Sequence, residues 1–104
     1  MPRFQRVQKR DGTIVSFDRQ KIEQAIFRAA LEVLQDAEEA ASIARRVTPM
    51  VLQRLAAIRP PKPIHVESIQ DAVEMALMEA GHPQIAKRYI LYRERRSELR
   101  LAKS

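Results

Sequence analysis

The chain has 104 residues, a formal net charge of +6 and no cysteine, and these properties narrow its functional class. A chain of this length forms one small domain with one hydrophobic core. The lack of cysteine excludes disulfides, thiolate catalysis, iron–sulfur clusters and zinc ribbons. The excess of Lys and Arg favours an anionic partner such as a nucleotide, a nucleic acid or a membrane surface. Because no apolar run reaches the roughly 20 residues of a membrane span, we expect a cytoplasmic protein with no membrane partner.

A β-hairpin is predicted near the N-terminus. The dipeptide Asp11-Gly12 lies between two runs that contain apolar residues, and it is typical of a two-residue primed turn because both residue types tolerate positive φ. Lys9 and Arg10 therefore lie beside a tight turn. Strand alternation places Val7 and Lys9 on one face, so a ring could lie against Val7 while a phosphate reaches Lys9.

The start of the first predicted helix adds a third cation. Asp18 is a good N-cap, and Lys21 follows in the first turn, where a cation opposes the helix macrodipole by about 0.3–1 kcal/mol. By itself, Lys21 is most simply interpreted as a solvated side chain. Together with Lys9 and Arg10, however, it reinforces the attraction of unpaired helix N–H groups for anions. This part of the chain is therefore a candidate polyphosphate site.

Apolar residues recur at helical spacing in four segments, the first of which follows Asp18. In the second segment the apolar residues keep the same helical phase before and after Pro49. This favours one long helix bent at the proline over two helices with Pro49 at the first position of the second. Gly81 is predicted to end the third helix, and Ile64-His65-Val66 could add a strand. The fold class is therefore predicted to be α+β, a four-helix bundle capped by a small β-hairpin or three-stranded sheet. The chain would form a single domain, 1–104, with a hairpin at 4–17 and helices at about 18–34, 37–58, 66–80 and 83–100.

Recognisable catalytic and phosphate-loop motifs are absent from the sequence. With only two glycines, the chain cannot contain a P-loop or a dinucleotide-binding motif. The serines lack a motif that would pair them with a base, and Glu38-Glu39 falls on a predicted solvated helix face. His65 and His82 lack metal-ligand spacing and are expected to be solvated or close to helix caps. We therefore expect no enzymatic activity and no metal site.

Four sequence blocks occur in a fixed order along nearly the whole chain. They are Val7-x-Lys9-Arg10-Asp11-Gly12, Phe17-Asp18-x-x-Lys21-Ile22, Val66-Glu67-x-Ile69-Gln70-Asp71-x-Val73-Glu74 and Ala86-Lys87-x-Tyr89-Ile90-Leu91-Tyr92-Arg93. In combination, these blocks closely resemble the ATP-cone domain. ATP-cones are nucleotide-sensing modules at the N-termini of many ribonucleotide reductases and in the bacterial repressor of reductase genes. In that family ATP and dATP compete for the site and shift the oligomeric state.

The resemblance implies a ligand, a set of partners and a set of contact residues. The ligand would be ATP or dATP, with Mg²⁺ shielding the phosphates. Binding would alter self-association through the helices, or contacts with a fused or separate reductase or repressor. The implied contacts are Lys9, Arg10 and Lys21 for the phosphates, Val7 and Ile22 for the nucleoside, Asp18 for adenine, and Gln70 and Arg95 from the third and fourth helices. The chain departs from the family pattern at Val15, where members often have an acidic residue, and at Val66, where some have a hydroxyl.

Two functions of other classes are consistent with the same residues. The last predicted helix is strongly basic, so the chain could be a nucleic-acid-binding module that uses Arg88, Arg93, Arg95 and Arg96. Duplex binding of that kind weakens with salt, with a slope of roughly −0.9 per neutralised phosphate. With two Tyr, three Phe and no Trp, the chain lacks the basic–aromatic interleaving that stacks on single-stranded bases. The third interpretation is an oligomerisation unit whose assembly does not respond to nucleotide.

Overall fold

The computed structural model describes the backbone of residues 4–60 and 62–103, and the side chains as far as Arg95. Four helices and a small sheet confirm the predicted α+β class. In chain order the elements are β1 (Arg6–Gln8), β2 (Ile14–Ser16), α1 (Arg19–Leu34), α2 (Ala37–Ile58), β3 (Ile64–His65), α3 (Val66–Glu79) and α4 (Pro83–Lys103).

The sheet has three strands in the order β2-β1-β3. β1 pairs antiparallel with β2, so that Val7 lies opposite Val15, and parallel with β3, so that Val7 lies opposite Ile64. Of the two predicted forms, hairpin alone or three-stranded sheet, the chain adopts the sheet. Val7 and Ile64 are buried and join the hydrophobic core, so the central strand is anchored to the helices.

The hairpin turn differs from the predicted two-residue primed turn. The Lys9 N–H donates to the Thr13 carbonyl at 2.8 Å, and the Gly12 N–H donates to the Lys9 carbonyl at 3.0 Å. Gly12 has a φ of +89°, whereas Asp11 is not among the residues with positive φ. The loop therefore contains three residues, a turn through Arg10 and Asp11 followed by a left-handed glycine. The two-residue prediction was wrong because Asp-Gly also suits this longer loop, in which Asp11 instead accepts the Thr13 N–H through its carboxylate at 2.9 Å.

Short polar side chains define the helix starts. The Asp18 carboxylate accepts the Gln20 N–H at the start of α1, and the Asp36 carboxylate accepts two N–H groups at the start of α2. At α3 the cap is His65, whose Nδ1 accepts the Glu67 N–H at 3.1 Å, which agrees with the expected cap role. These interactions satisfy N–H groups that have no partner within the helix.

Two features of the predicted helices are confirmed by the backbone. α3 ends at Gly81, which has a φ of +86°, and the N–H groups of Gly81 and His82 donate to the carbonyls of Met78 and Leu77. This is the double hydrogen bond of a Schellman cap. α2 is one helix that contains Pro49, so the one-helix alternative is correct.

The four helices share one hydrophobic core. α2 packs against α1 and α3, and α4 packs against the same two helices. Ile26 of α1, Leu55 of α2 and Leu77 of α3 are completely buried. This arrangement holds the N-terminal parts of α1 and α3 beside the sheet, where the cavity described below is formed.

Candidate functional site

A cavity of about 380 Å³ lies between the sheet, α1, α3 and α4. Small-molecule sites typically have volumes of about 300–1,000 Å³, so the cavity can accept an organic ligand. It is lined by residues of the hairpin and of three helices, but by no residue of α2: Val7, Lys9, Arg10, Val15, Ser16, Phe17, Asp18, Lys21, Ile22, Gln24, Ala25, Arg28, Val66, Ile69, Gln70, Tyr89, Tyr92 and Arg93.

Three cations and a helix N-terminus meet at this cavity. Lys9 and Arg10 come from the hairpin loop, and Lys21 comes from the first turn of α1. The Asp18 carboxylate accepts the Gln20 N–H at 2.9 Å and also lines the cavity. Because a helix N-terminus carries partial positive charge and three cations surround it, this arrangement attracts an anion.

Apolar side chains provide a second kind of surface. Val7, Ile22 and Ile69 line the cavity and are otherwise buried. The half-buried Val15 and Phe17 of the hairpin add to this surface. A ligand with a flat apolar part and an anionic part would therefore contact both kinds of lining.

Arg10 connects the hairpin loop to α3. Its Nη2 donates to the Gln70 Oε1 at 3.0 Å, and its Nε lies 3.8 Å from the Glu67 Oε1. Gln70 is 60 residues away in sequence and lines the cavity together with Arg10. The contact therefore joins two cavity residues from distant parts of the chain.

α4 supplies a buried phenol and a paired arginine. Burial raises the pKa of Tyr89, although the nearby Arg93 charge opposes this shift. Arg93 donates to Asp71 at 3.0 Å and also to Glu74. Partial burial lowers the pKa of Arg93, but the hydrogen bonds to Glu74 and Asp71 outweigh this effect, so its pKa is raised overall. At neutral pH the cavity therefore contains an uncharged Tyr89 and a charged Arg93 that two carboxylates already balance.

Seven of the eight residues predicted as nucleotide contacts line the cavity, and Arg95 does not. The seven are Val7, Lys9, Arg10, Asp18, Lys21, Ile22 and Gln70. Arg95 is exposed on α4, while Arg93, two residues earlier, lines the cavity. The contribution of each residue to ligand binding stays a prediction.

Further lining residues were not predicted as nucleotide contacts, although helical spacing points to some of them. Arg28 lies seven residues after Lys21, on the same face of α1, and Arg93 lies four residues after the buried Tyr89. Residues at these spacings share a helix face. Tyr92, three residues after Tyr89, also lines the cavity and lies on the same side of α4.

The basic face of α4 is partly neutralised by acidic residues. The Arg88 Nε lies 3.5 Å from the Glu32 Oε2, and Arg93 pairs with Asp71 and Glu74. The side chain of Arg96 lies outside the described residues. Of the four arginines proposed for nucleic-acid binding, Arg93 is thus held by two carboxylates of α3, whereas Arg88 forms an exposed ion pair.

The described part of the chain also bears on the expectations about a metal site and a membrane span. Among the side chains that the structure describes, no group of three or more His, Cys, Asp or Glu could hold a metal ion. Among the helices of residues 4–60 and 62–103, none is both long enough and apolar enough to cross a membrane.

Comparison with known proteins identifies relatives of the chain. The family model of the ATP cone domain matches residues 5–98. The chain is 43% identical over 100 residues to the vitamin B12-dependent ribonucleoside-diphosphate reductase of Mycobacterium tuberculosis (strain ATCC 25618 / H37Rv), a match that covers 95% of this chain and 13% of the reductase. It is 36% identical over 99 residues to the ribonucleoside-diphosphate reductase subunit alpha of Chlamydia pneumoniae, covering 91% of this chain and 10% of that subunit.

A third relative represents another reductase type. The chain is 36% identical over 91 residues to the anaerobic ribonucleoside-triphosphate reductase of Escherichia coli (strain K12), covering 86% of this chain and 12% of that enzyme. The chain thus spans only between 10% and 13% of the length of these three relatives.

Proposed function

The chain belongs to the ATP-cone domain family, whose members are nucleotide-binding regulatory domains, and we propose that its cavity binds ATP or dATP as a regulatory ligand without turnover. In this proposal residues 1–104 act as a single domain. The observation that carries the proposal is the meeting of Lys9, Arg10 and Lys21 with the N-terminus of α1 at an apolar cavity. A nucleoside polyphosphate has an anionic part and a flat, largely apolar part, which correspond to these two surfaces.

The phosphates would occupy the cationic part of the cavity. Lys9 and Lys21 act there as point charges, while the Arg10 guanidinium can donate two parallel hydrogen bonds to one phosphate. The partial positive charge at the start of α1 adds to the field of these cations. The site would therefore hold phosphates without a glycine-rich loop.

The nucleoside would lie against Val7 and Ile22. Adenine also needs a polar contact, and Asp18 can supply it because a carboxylate has more acceptor positions than the one used for the Gln20 N–H. Val15 and Val66 line the cavity at positions where other family members often carry acidic or hydroxyl groups. In this chain, Asp18 would therefore be the main polar determinant of base binding.

Mg²⁺ would enter the site together with the nucleotide. Of the described residues that line the cavity, only Asp18 carries a carboxylate. Mg²⁺ usually keeps several waters and is held by substrate phosphates with one or two carboxylates. The lining therefore fits a phosphate-bound ion better than a metal site built from protein side chains, and the ion would supply additional charge neutralisation.

Nucleotide binding would change the self-association of the domain, or its contacts with a reductase or repressor. Support comes from the relatives, which are reductases of which this chain matches only a small part. A domain that binds nucleotide without turnover would act on such a partner by changing the surface that it presents.

Calorimetric titration with ATP and dATP tests the proposal. The wild-type chain should bind both saturably, and Lys9→Ala, Arg10→Ala or Lys21→Ala should each weaken binding by about tenfold or more, since a hydrogen bond to a charged group contributes about 1.5–3 kcal/mol. The control is Arg45→Ala, which removes an exposed charge from α2, a helix that does not line the cavity. Absence of saturable binding at millimolar ATP would exclude this function. Sedimentation of the same samples would reveal whether nucleotide changes the assembly.

A further inference from the structure

Two of the arginines that line the cavity, Arg10 and Arg93, are held to α3 in different ways. The Arg93 side chain is 15% exposed and contacts both Asp71 and the largely buried Glu74. The Arg10 side chain is 28% exposed and lies 3.8 Å from Glu67, which is 53% exposed. Arg93 is thus fixed by two carboxylates, whereas the ion pair of Arg10 is long and solvated.

The contact between Arg10 and Glu67 is readily exchanged. Exposed ion pairs contribute little net stability because solvent screens them and ordering two side chains costs entropy. A phosphate group offers Arg10 a better partner, since it carries more negative charge and accepts two parallel hydrogen bonds. Glu67 does not need Arg10 either, because it lies in the first turn of α3, where the helix macrodipole favours a negative charge.

From this geometry we infer that Glu67 lowers the affinity of the cavity for polyphosphates by competing with them for Arg10. The inference rests on the proposed function and names a residue that regulates it. Glu67 and Gln70 hold the Arg10 side chain against α3. When a nucleotide binds, its phosphates take over the guanidinium, and Glu67 gives up its partner. Glu67 is therefore a positioning residue that acts on the ligand through Arg10.

A second Arg–Glu pair, formed between α2 and α3, serves as the control. Arg54 of α2 contacts Glu79 near the end of α3, and these side chains are 28% and 57% exposed, compared with 28% and 53% for Arg10 and Glu67. Neither Arg54 nor Glu79 lines the cavity. Glu79 lies 12 residues after Glu67, or about 18 Å along a helix that rises 1.5 Å per residue. Glu79→Gln thus removes the same charge from another exposed Arg–Glu pair, which is hydrogen-bonded and lies far from the ligand.

The test is calorimetric titration of the wild-type chain, Glu67→Gln and Glu79→Gln with ATP, ADP, AMP and adenosine. Glu67→Gln should bind ATP about two- to fivefold more tightly than wild type, the range expected for loss of one exposed ion pair. The gain should decrease from ATP to AMP and disappear for adenosine. Glu79→Gln should leave every affinity unchanged. Equal behaviour of the two variants, weaker binding by Glu67→Gln, or an equal gain for adenosine would overturn the inference.

A double-mutant cycle shows whether Glu67 acts through Arg10. In the Arg10→Gln background, Glu67→Gln should raise the ATP affinity by less than half of the factor that it gives in the wild-type background. A full-sized gain there would mean long-range repulsion of the phosphates, which overturns the competition for Arg10. If wild-type protein binds none of the four ligands at millimolar concentration, the proposed function fails and the inference fails with it. If wild type binds ATP but the variants do not differ, only the inference fails.

Discussion

Tyr89 shows how burial of one side chain couples stability to pH. It is 5% exposed, and burial raises its pKa above the usual value. Up to about pH 10 the phenol stays protonated in both the folded and the unfolded state. At higher pH the unfolded chain releases this proton while the folded chain keeps it, so the folded state binds more protons. The free energy of unfolding must then decrease as the pH rises.

The expected decrease is about 1.4 kcal/mol per pH unit above pH 10 from this one group. It can be measured by urea denaturation between pH 8 and pH 11 for wild type and Tyr89→Phe. All other titratable groups are the same in both proteins, so the difference between the two curves isolates Tyr89. The difference in free energy of unfolding between the two proteins should be constant up to about pH 10. Above that pH, wild type should lose stability relative to Tyr89→Phe. Parallel curves throughout would show that Tyr89 ionises normally in the folded chain.

Arg93 and Arg95 show what the sequence does not predict about single residues, namely which arginine of α4 faces the cavity. They are two residues apart, and a helix turns by about 100° per residue, so they point in directions roughly 200° apart around α4. The run of basic residues does not indicate which of them faces inward. The spacing of four from Tyr89 to Arg93 does contain that information, because Tyr89 is buried. The pairing of Arg93 with Asp71 and Glu74 depends on how α3 and α4 pack, and no local pattern predicts it.

The hairpin loop is the element whose backbone most directly positions cations. Gly12 has a φ of +89°, and no atom lies within 4 Å of the position that a Cβ would take. Gly12→Ala therefore introduces no clash and should cost only the strain of a left-handed alanine, about 1–2 kcal/mol. Relief of this strain would shift the loop and move Lys9 and Arg10. We expect Gly12→Ala to lower both the free energy of unfolding and the affinity for ATP.

Gly81 provides the matched control for this prediction. Its φ is +86°, its Cβ position is equally open, and it ends α3 without lining the cavity. Gly81→Ala should lower the free energy of unfolding by a similar amount while leaving ATP affinity unchanged, provided that binding is measured where both variants are folded. Denaturation and calorimetry on the two variants give both quantities. Equal ATP affinities would show that the loop conformation does not govern the site.

Most helices and strands could be predicted because the sequence signals for them involve residues that are close together in the chain. Helical periodicity, the Asp18 cap and the Gly81 stop each depend on residues within one or two turns. The hairpin was likewise predictable, but its turn type was not, because Asp11-Gly12 is compatible with both a two-residue and a three-residue loop. The strand Ile64–His65 was a weaker prediction, since its pairing with β1 joins segments more than 50 residues apart.

At the scale of the whole molecule, the cavity is a product of long-range packing. The hairpin and α3 meet through Arg10 and Gln70, which are 60 residues apart, while α2 contributes no residue to the lining. α2 instead packs between α1 and α3 and so holds two of the cavity walls in place. The elements that line the cavity and the helix that supports them are thus separate parts of the same fold.

This separation predicts a specific pattern of amide hydrogen exchange. Ligand binding raises the global stability by RT ln(1 + [L]/Kd), which slows every amide that exchanges through global unfolding by the same factor. Amides that exchange through local opening respond only where the ligand makes contact. Saturating ATP should therefore slow exchange most in the hairpin loop and in the first turns of α1 and α3, where it bridges elements that otherwise open independently. Amides of α2 should slow only by the global factor, and Lys21→Ala at the same ATP concentration should show both effects reduced, with a global factor about tenfold smaller. If α2 were protected most strongly while the hairpin loop did not change, the ligand would bind elsewhere, and α2 would have to be part of the site.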